Sequence, residues 1–320
     1  MKISKQDLEN KVREFAKRET KHLDSFVDFN FENNLMRLPL ETKDGHVIEA
    51  TLCYGYKQEK YLLAMSAQVG CATKCNFCDL GDLGYKRDLT ADELLDELVL
   101  LLSTAMKRGY NVFDRPLKAT FVMGGEPLAN RHFGEALARM KEQVPLQTKV
   151  STIFPGTKRS LQVYREVVDV AKEYPNIVQF QVSLNSTDED YRQSLVAIPL
   201  ADYKTLRKAG EEWFEKVPDP RKINLTFTLN QETPMDPDQI KDVLTPDIFA
   251  IRLRDWVPTE RGERYGIRTI TNGRVYELKS MFEDCGYFFV PGMSGHVEQK
   301  FKLAPGESLK LYQKMRNRGE

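Results

Sequence analysis

An excess of charge of either sign is the first thing this sequence lacks. Lys and Arg number 47, Asp and Glu 47, and the formal net charge is zero. A chain built to grip a long polyanion over its whole surface is normally basic, so a large RNA partner is disfavoured by this balance, although a local basic patch is not. No apolar run reaches the ~18 residues of a membrane span. The opening MKISKQDLENKVREF has no apolar h-region and does not read as a secretory leader. Histidine is scarce, four in 320 residues. No second CxxC or HxxxH accompanies the cysteines, so a closed four-ligand zinc site lacks donors. A GxGxxG fingerprint after the first strand is also missing, which counts against a dinucleotide-binding sheet.

Five cysteines are present: Cys53, Cys71, Cys75, Cys78 and Cys285. Three of them crowd into one short segment. Clustered thiols in a large chain without a leader point to a metal site in a reducing compartment rather than to disulfides, and a cytoplasmic location is expected.

Along the chain, the first thirty residues read as a polar helix or two short ones. A hairpin follows, LMRLPLET and HVIEATLCYG, turning at Lys43-Asp44-Gly45. Beyond the strand YLLAMSAQV, strand-like and helix-like runs alternate six or seven times, which predicts a parallel sheet covered by helices, as in a full or partial (β/α) barrel. Thr90 with Glu93 three positions later has the spacing of a capping box. Residues 1–62 are expected to form an N-terminal helical and hairpin extension, residues 63–295 the barrel, and residues 296–320 a C-terminal tail and helix.

The segment Cys71-Ala-Thr-Lys-Cys75-Asn-Phe77-Cys78 falls in the loop after the first barrel strand, and loops at strand carboxyl ends carry the active sites of barrels. Three soft thiolates bind iron–sulfur clusters or zinc. With three protein ligands, a cubane keeps one iron open to a chelating cosubstrate. The next strand ends in Met123-Gly124-Gly125-Glu126-Pro127. Two glycines permit close backbone approach to a ligand, and the carboxylate beside them can take an ammonium group.

These motifs resemble the radical S-adenosylmethionine (SAM) superfamily over roughly residues 65–290. Within it the sequence is similar to the RlmN and Cfr group of rRNA adenine methyltransferases, through SAQVGCATKCNFCDLGDLGYKRDLT, VMGGEPLAN, KVSTIF and VSLNSTDEDYR. The resemblance implies an α/β fold, a partial (β/α)6 TIM-like barrel of radical SAM type with a short N-terminal helical and β-hairpin extension. It implies a 4Fe-4S cluster on Cys71, Cys75 and Cys78, with SAM as cosubstrate. Phe77 would lie beside the adenine, while Gly124, Gly125 and Glu126 would cradle the methionyl amine. Ser151, Ser183 and Asn185 would contact SAM, and Glu49 would be a general acid/base carboxylate. An electron donor such as flavodoxin or ferredoxin is implied as a partner.

The sequence also departs from that group. Its two methyl-transfer cysteines are missing: Ala64 stands seven residues before Cys71, and no cysteine follows Cys285. An alanine cannot carry a methyl group on sulfur. The reading that follows is a radical SAM enzyme that abstracts hydrogen from an unidentified nucleotide, small metabolite or peptide. Arg252, Arg254, Asp255, Trp256 and His296 are further candidate contacts. The alternatives are RNA adenine methylation by a modified route, with Cys53 or Cys285 as carrier, and a non-catalytic cluster-binding regulator.

Overall fold

The computed structural model describes residues 4–25, 29–32, 35–55, 60–290, 292, 306 and 309. Helix α1 (Lys5–Phe15) opens it, capped by the Ser4 side chain on the Asp7 amide. The next residues are not helical: they form strands β1 (Leu23–Ser25) and β2 (Phe29–Glu32), so of the expected one polar helix or two short ones a single helix is found. Both strands pair antiparallel with β3 (Leu35–Thr42). This long-range pairing leaves no local signal. The hairpin follows as expected, β3 running into β4 (Val47–Gly55) through Gly45 at a φ of +79°.

Strand β5 (Lys60–Met65) leads to the short β6 (Gln68–Val69), the cysteine loop, α2 (Leu80–Leu83) and β7 (Arg87–Asp88). Helix α3 (Ala91–Lys107) begins at the predicted capping box: Thr90 accepts from the Glu93 amide, and the Glu93 side chain accepts from the Thr90 amide. Alternation then continues through β8 (Leu117–Phe121), α4 (Phe133–Gln143), β9 (Gln147–Thr152) and α5 (Lys158–Glu173). It goes on with β10 (Val178–Ser183), α6 (Glu189–Ser194), α7 (Tyr203–Lys216), β11 (Ile223–Leu229) and β12 (Phe249–Asp255). Helices α8 (Glu260–Arg264) and α9 (Asn272–Asp284) and the two-residue strand β13 (Phe288–Phe289) complete the described chain.

Strands β5, β8, β9, β10, β11, β12 and β13 pair parallel in that order, and the hairpin extends the sheet on the β5 side. Side chains alternate along each strand. Leu63, Phe121, Val150, Phe180, Phe227 and Ile251 belong to the core beneath the helices. Their neighbours in sequence face the other, concave side that bounds the lumen, and this side is mixed: Thr120, Gln181 and Thr226 are buried on it beside Ala64 and Ala250. Helices cover the apolar outer face, and the loops at the carboxyl ends of the strands are left to carry a site. Arg87 fixes the hairpin to the barrel. Its guanidinium donates to both oxygens of Asp44 at 2.7 Å and to both oxygens of Glu93 at 2.8 Å. Among the described residues no helix is long and apolar enough to cross a membrane.

Candidate active site

The cysteine loop leaves the carboxyl end of β5. Lys74, in its middle, has a φ of +48°. Phe154 and Asn185, just past the ends of β9 and β10, have φ of +57° and +64°. Left-handed backbone at non-glycine residues is costly and survives where surrounding contacts enforce it, often at functional sites. Here three such residues stand at the same end of the sheet.

Cys71 and Cys75 are buried, and Cys78 is half-buried. The Thr73 hydroxyl lies 3.0 Å from Cys71 Sγ and 3.2 Å from Cys75 Sγ, so both sulfurs face one point. Burial raises all three thiols, Cys75 to about 12, and the charge of its fellow cysteines opposes ionisation of Cys75 and Cys78. Thiols held so close in an apolar setting ionise only against a compensating cation, as metal ligation provides. Among the described residues no three His, Cys, Asp or Glu groups converge as a site for a single ion. The donor set fits a multi-iron cluster, in which each thiolate serves its own iron.

A second layer grips the loop from outside, and the sequence reading missed it. Arg261 of α8 donates from Nε to the Cys75 carbonyl at 3.0 Å and from its amide to Asp79 Oδ1 at 2.9 Å. Its Nη1 reaches Asp82 Oδ1 at 2.7 Å. A Cβ on Gly81 would lie 2.6 Å from the Arg261 Nε, so a larger residue there would have to displace the guanidinium. The Phe77 carbonyl accepts from Trp256 Nε1 at 3.2 Å and Thr259 Oγ1 at 3.1 Å. Trp256, a candidate substrate contact from the sequence, is 5% exposed and serves as a tie on the loop. From the other flank the Asn76 amide donates to the Leu195 carbonyl and the Ala197 amide to the Thr73 carbonyl. Phe77 packs against a small apolar cluster of Cys75, Ile153, Leu195 and Val196.

Glu126 is 3% exposed. Its carboxylate accepts from Thr152 Oγ1, the Ile153 amide at 2.9 Å and the Leu128 amide at 3.0 Å. Burial still dominates and lifts its pKa to about 7. A ligand ammonium placed against it would restore the ionised form, so the residue fits the amine-binding role. Buried Arg192 donates to the Ile153 carbonyl at 2.8 Å and so steadies the amide that Glu126 uses.

The glycines ahead of Glu126 are explained differently from the sequence expectation. A Cβ on Gly124 would meet Ser66 Oγ at 2.7 Å, and one on Gly125 would meet Gln68 Cβ at 2.4 Å. The space they leave is filled by residues 66–68 of the protein itself. Gly125 also has a φ of +89°.

Ser151 Oγ accepts from Gln181 Nε2 at 2.7 Å, and Ser183 stands opposite Thr226 on the concave face. Asn185 is buried, and its Oδ1 accepts from the Thr228 amide at 3.2 Å, which ties β10 to β11. Glu49 is 1% exposed and accepts from the Gly306 amide through Oε1. It lies close enough to the wholly buried Glu97 for the two carboxylates to raise Glu97 further above its already burial-raised value. Glu97 itself accepts from the Ser66 amide at 2.7 Å. Arg252 and Arg254 alternate on β12, half-buried on the concave face, and Asp255 ends that strand. His296 lies outside the described residues, as does most of the segment 293–308. Of the two cysteines considered as carriers, Cys53 shares the concave face, opposite Leu62. Cys285 caps α9 and its thiol sits 3.9 Å from Asp238, in the outer helical layer, so the carrier expectation for it is corrected. A surface cavity of about 460 Å³ between residues 16–20 and α3 shares no residue with this site.

A family model described as the radical SAM superfamily matches residues 65–244. The dual-specificity RNA methyltransferase RlmN of Marinobacter nauticus is 27% identical over 195 residues, 58% of this chain and 49% of the relative. A probable RNA methyltransferase of Sorangium cellulosum is 27% identical over 275 residues, 83% of this chain and 61% of the relative. The chain thus spans about half to three-fifths of the length of these curated relatives. A crystal structure of a radical SAM methyltransferase from Sphaerobacter thermophilus matches with a TM-score of 0.70 at 21% identity, over 86% of this chain and 78% of the other, and this is a likeness of fold. The expectation that disfavoured a large RNA finds no support among the relatives, which are named for RNA methylation. The family's cofactors are a 4Fe-4S cluster and S-adenosylmethionine. The family match covers more than half of the chain, from the strand entering the cysteine loop past the one that follows Glu126, and the chain belongs to the radical SAM superfamily.

Proposed function

We propose that this protein is a radical SAM enzyme that modifies a nucleotide base, with RNA as the substrate class, in the manner of the RlmN-type relatives. The observation that carries the reading is the pairing of the cysteine loop with buried Glu126 at one end of the lumen. It is supported by relatives named RNA methyltransferases that match up to 83% of the chain. Cys71, Cys75 and Cys78 hold the cluster, which when bound supplies the single electron that opens the SAM sulfonium. Glu126 takes the methionyl amine, Phe77 with Ile153 and Val196 offers an apolar wall for the adenine, and Ser151, Ser183 and Asn185 line the path into the lumen. Glu49 is assigned as the carboxylate that holds or delivers a proton at its Oε atoms. An external reductant of flavodoxin or ferredoxin type completes the reaction.

Ala64 favours a second reading. It faces the lumen from β5 beside Thr51 of β4, where the relatives' chemistry as read from sequence calls for a thiol. Hydrogen abstraction without methyl transfer, on a nucleotide or another small substrate, is the form this takes. Anaerobic reconstitution with SAM, reductant and either RNA or free nucleotides tests both readings. Production of 5′-deoxyadenosine with methylated adenine in RNA supports the first. Production of 5′-deoxyadenosine with unmethylated product supports the second. No cleavage of SAM by fully loaded protein overturns both. If methylation is found, Cys53→Ala reports whether the one lumen-facing thiol named above takes part.

A further inference from the structure

The neck of the cysteine loop is wired to the segment that carries Glu126. Strands β6 and β7 close the loop on either side of the three thiols, and they pair antiparallel with Gln68 directly opposite Asp88. Gln68 is 1% exposed and Asp88 8%. The Gln68 Nε2 donates to Asp88 Oδ1 at 2.9 Å, and its Oε1 accepts from the Glu126 amide at 3.0 Å. An ionised carboxylate only accepts and a backbone amide only donates, so both neighbours select the same orientation of the Gln68 amide. The Tyr85 hydroxyl donates to the same Asp88 oxygen at 3.1 Å, and the Arg131 amide donates to the other at 3.4 Å. Asp88 is thereby held in place, and it in turn holds Gln68.

The residues around Gln68 are tied to the same segment. Ser66 Oγ accepts from the Gly124 amide at 3.0 Å and donates to the Glu49 carbonyl at 2.7 Å. The Gly124 carbonyl accepts from the Gln68 amide at 3.1 Å. Asn130 Nδ2 donates to the carbonyls of Ala67 and Leu89, one on each side of the neck, at 2.7 and 2.8 Å. Within this frame Gln68 has a particular place. It stands three residues before Cys71, and the far end of its side chain holds the backbone of Glu126 itself. An apolar side chain there would leave the Glu126 amide buried without that acceptor. A ligand gripped at two points loses affinity when the spacing of those points drifts.

We infer that Gln68 is a positioning residue for SAM binding: it fixes the Glu126 backbone, and with it the carboxylate, relative to the cysteine loop, so that one ligand meets both. The inference rests on the proposed role of Glu126 as partner of the methionyl amine. Gln68 acts through Glu126, and Asp88 acts through Gln68 by setting which end of its amide faces the Glu126 N–H.

The test is equilibrium binding of SAM, without reductant, to the full-length cluster-loaded protein under anaerobic conditions. Iron per chain and the melting temperature of each variant are measured alongside. Gln68→Leu is expected to weaken SAM binding at least tenfold with iron per chain at the wild-type level. With reductant and saturating SAM, its rate of 5′-deoxyadenosine formation should fall less than threefold, which places the loss in binding. Gln68→Glu sets a second carboxylate against Asp88 and should weaken binding similarly. Gln68→Glu combined with Asp88→Asn reverses donor and acceptor within the pair and keeps an oxygen on the Glu126 amide, while the Tyr85 hydroxyl can turn to accept. This double variant should recover affinity to within threefold of wild type, and the comparison stands should Gln68→Leu fail to fold. SAM affinity unchanged in both single variants, or lost only in step with iron content or melting temperature, overturns the inference. A double variant no tighter than Gln68→Glu overturns it as well. Loss of affinity in Glu126→Gln but in neither Gln68 variant overturns the inference and leaves the amine role standing. Wild-type affinity in Glu126→Gln overturns the amine role and the inference with it. A loaded wild type that binds SAM in this Gln68-dependent way yet never cleaves it overturns the proposed function and leaves the inference standing.

Discussion

The Arg261 guanidinium donates to the carbonyl of Cys75 across 3.0 Å, with 186 positions of chain between them. The loop that presents the three thiols is thus held by a helix that arrives only after the last long strand. Arg261→Met removes this bond and the ion pair to Asp82. Hydrogen bonds to charged groups contribute about 1.5–3 kcal/mol each. The expected result is a fall in iron bound per chain after reconstitution, with the thermal transition of the cluster-free protein shifted far less. Unchanged iron content would show that the loop holds its shape without the clamp.

Single replacements of Cys71, Cys75 or Cys78 by alanine should each abolish stable iron binding, read by iron analysis and by loss of the brown chromophore. Cys53→Ala and Cys285→Ala should leave iron content at the wild-type level, because Cys53 lies on the hairpin and Cys285 at the end of an outer helix. Iron retained by any variant of the first three would remove that residue from the ligand set.

Gly125 and Gly45 separate backbone strain from crowding. Both have positive φ, but a Cβ at Gly45 meets nothing within 4 Å, whereas one at Gly125 lies 2.4 Å from Gln68. Gly45→Ala should cost about 1–2 kcal/mol. Gly125→Ala adds overpacking and should cost roughly 3 kcal/mol or more. Denaturant titration of the cluster-free proteins measures both, and equal losses would refute the packing explanation.

Glu126 gives a pH dependence. Its pKa rises from the ordinary 4.5 to about 7 in the fold, with burial as the cause. The protonated form is favoured by the folded state, so its stabilisation is complete below pH 4.5 and is lost as pH rises through 7. At 1.36 kcal/mol per unit this is on the order of 3 kcal/mol. Stability of wild type relative to Glu126→Gln should decline across that window. SAM affinity should move the opposite way, strengthening as pH rises through 7 while the carboxylate ionises, and Glu126→Gln should flatten it. A wild-type SAM affinity that stays level from pH 6 to 8 would contradict the ammonium-binding role.

Much of this was legible from local pattern. The capping box at Thr90, the Asp44-Gly45 turn and the β/α alternation each depend on residues a few positions apart, and each appears where the sequence places it. The cysteine spacing proposes a cluster ligand set because thiolate chemistry is carried by the residues themselves. Helix α8 left no such trace. Its five residues, ERGER, have no apolar period, and their structural role is to aim Arg261 at a distant loop. Strands β1 and β2 leave no strand signal in the sequence because their partner, β3, settles their conformation, not their own composition.

The same division runs through the site. Sequence alone supplied the candidate donor atoms, three thiols and one carboxylate, and showed alanine at position 64. Only the tertiary structure decided what the glycines beside Glu126 are for, since their neighbours are residues 66–68 on another segment. It also decided which of Cys53 and Cys285 faces the lumen. Chemistry is written residue by residue, but burial, charge proximity and the face a side chain occupies are properties of strands brought together from across the chain.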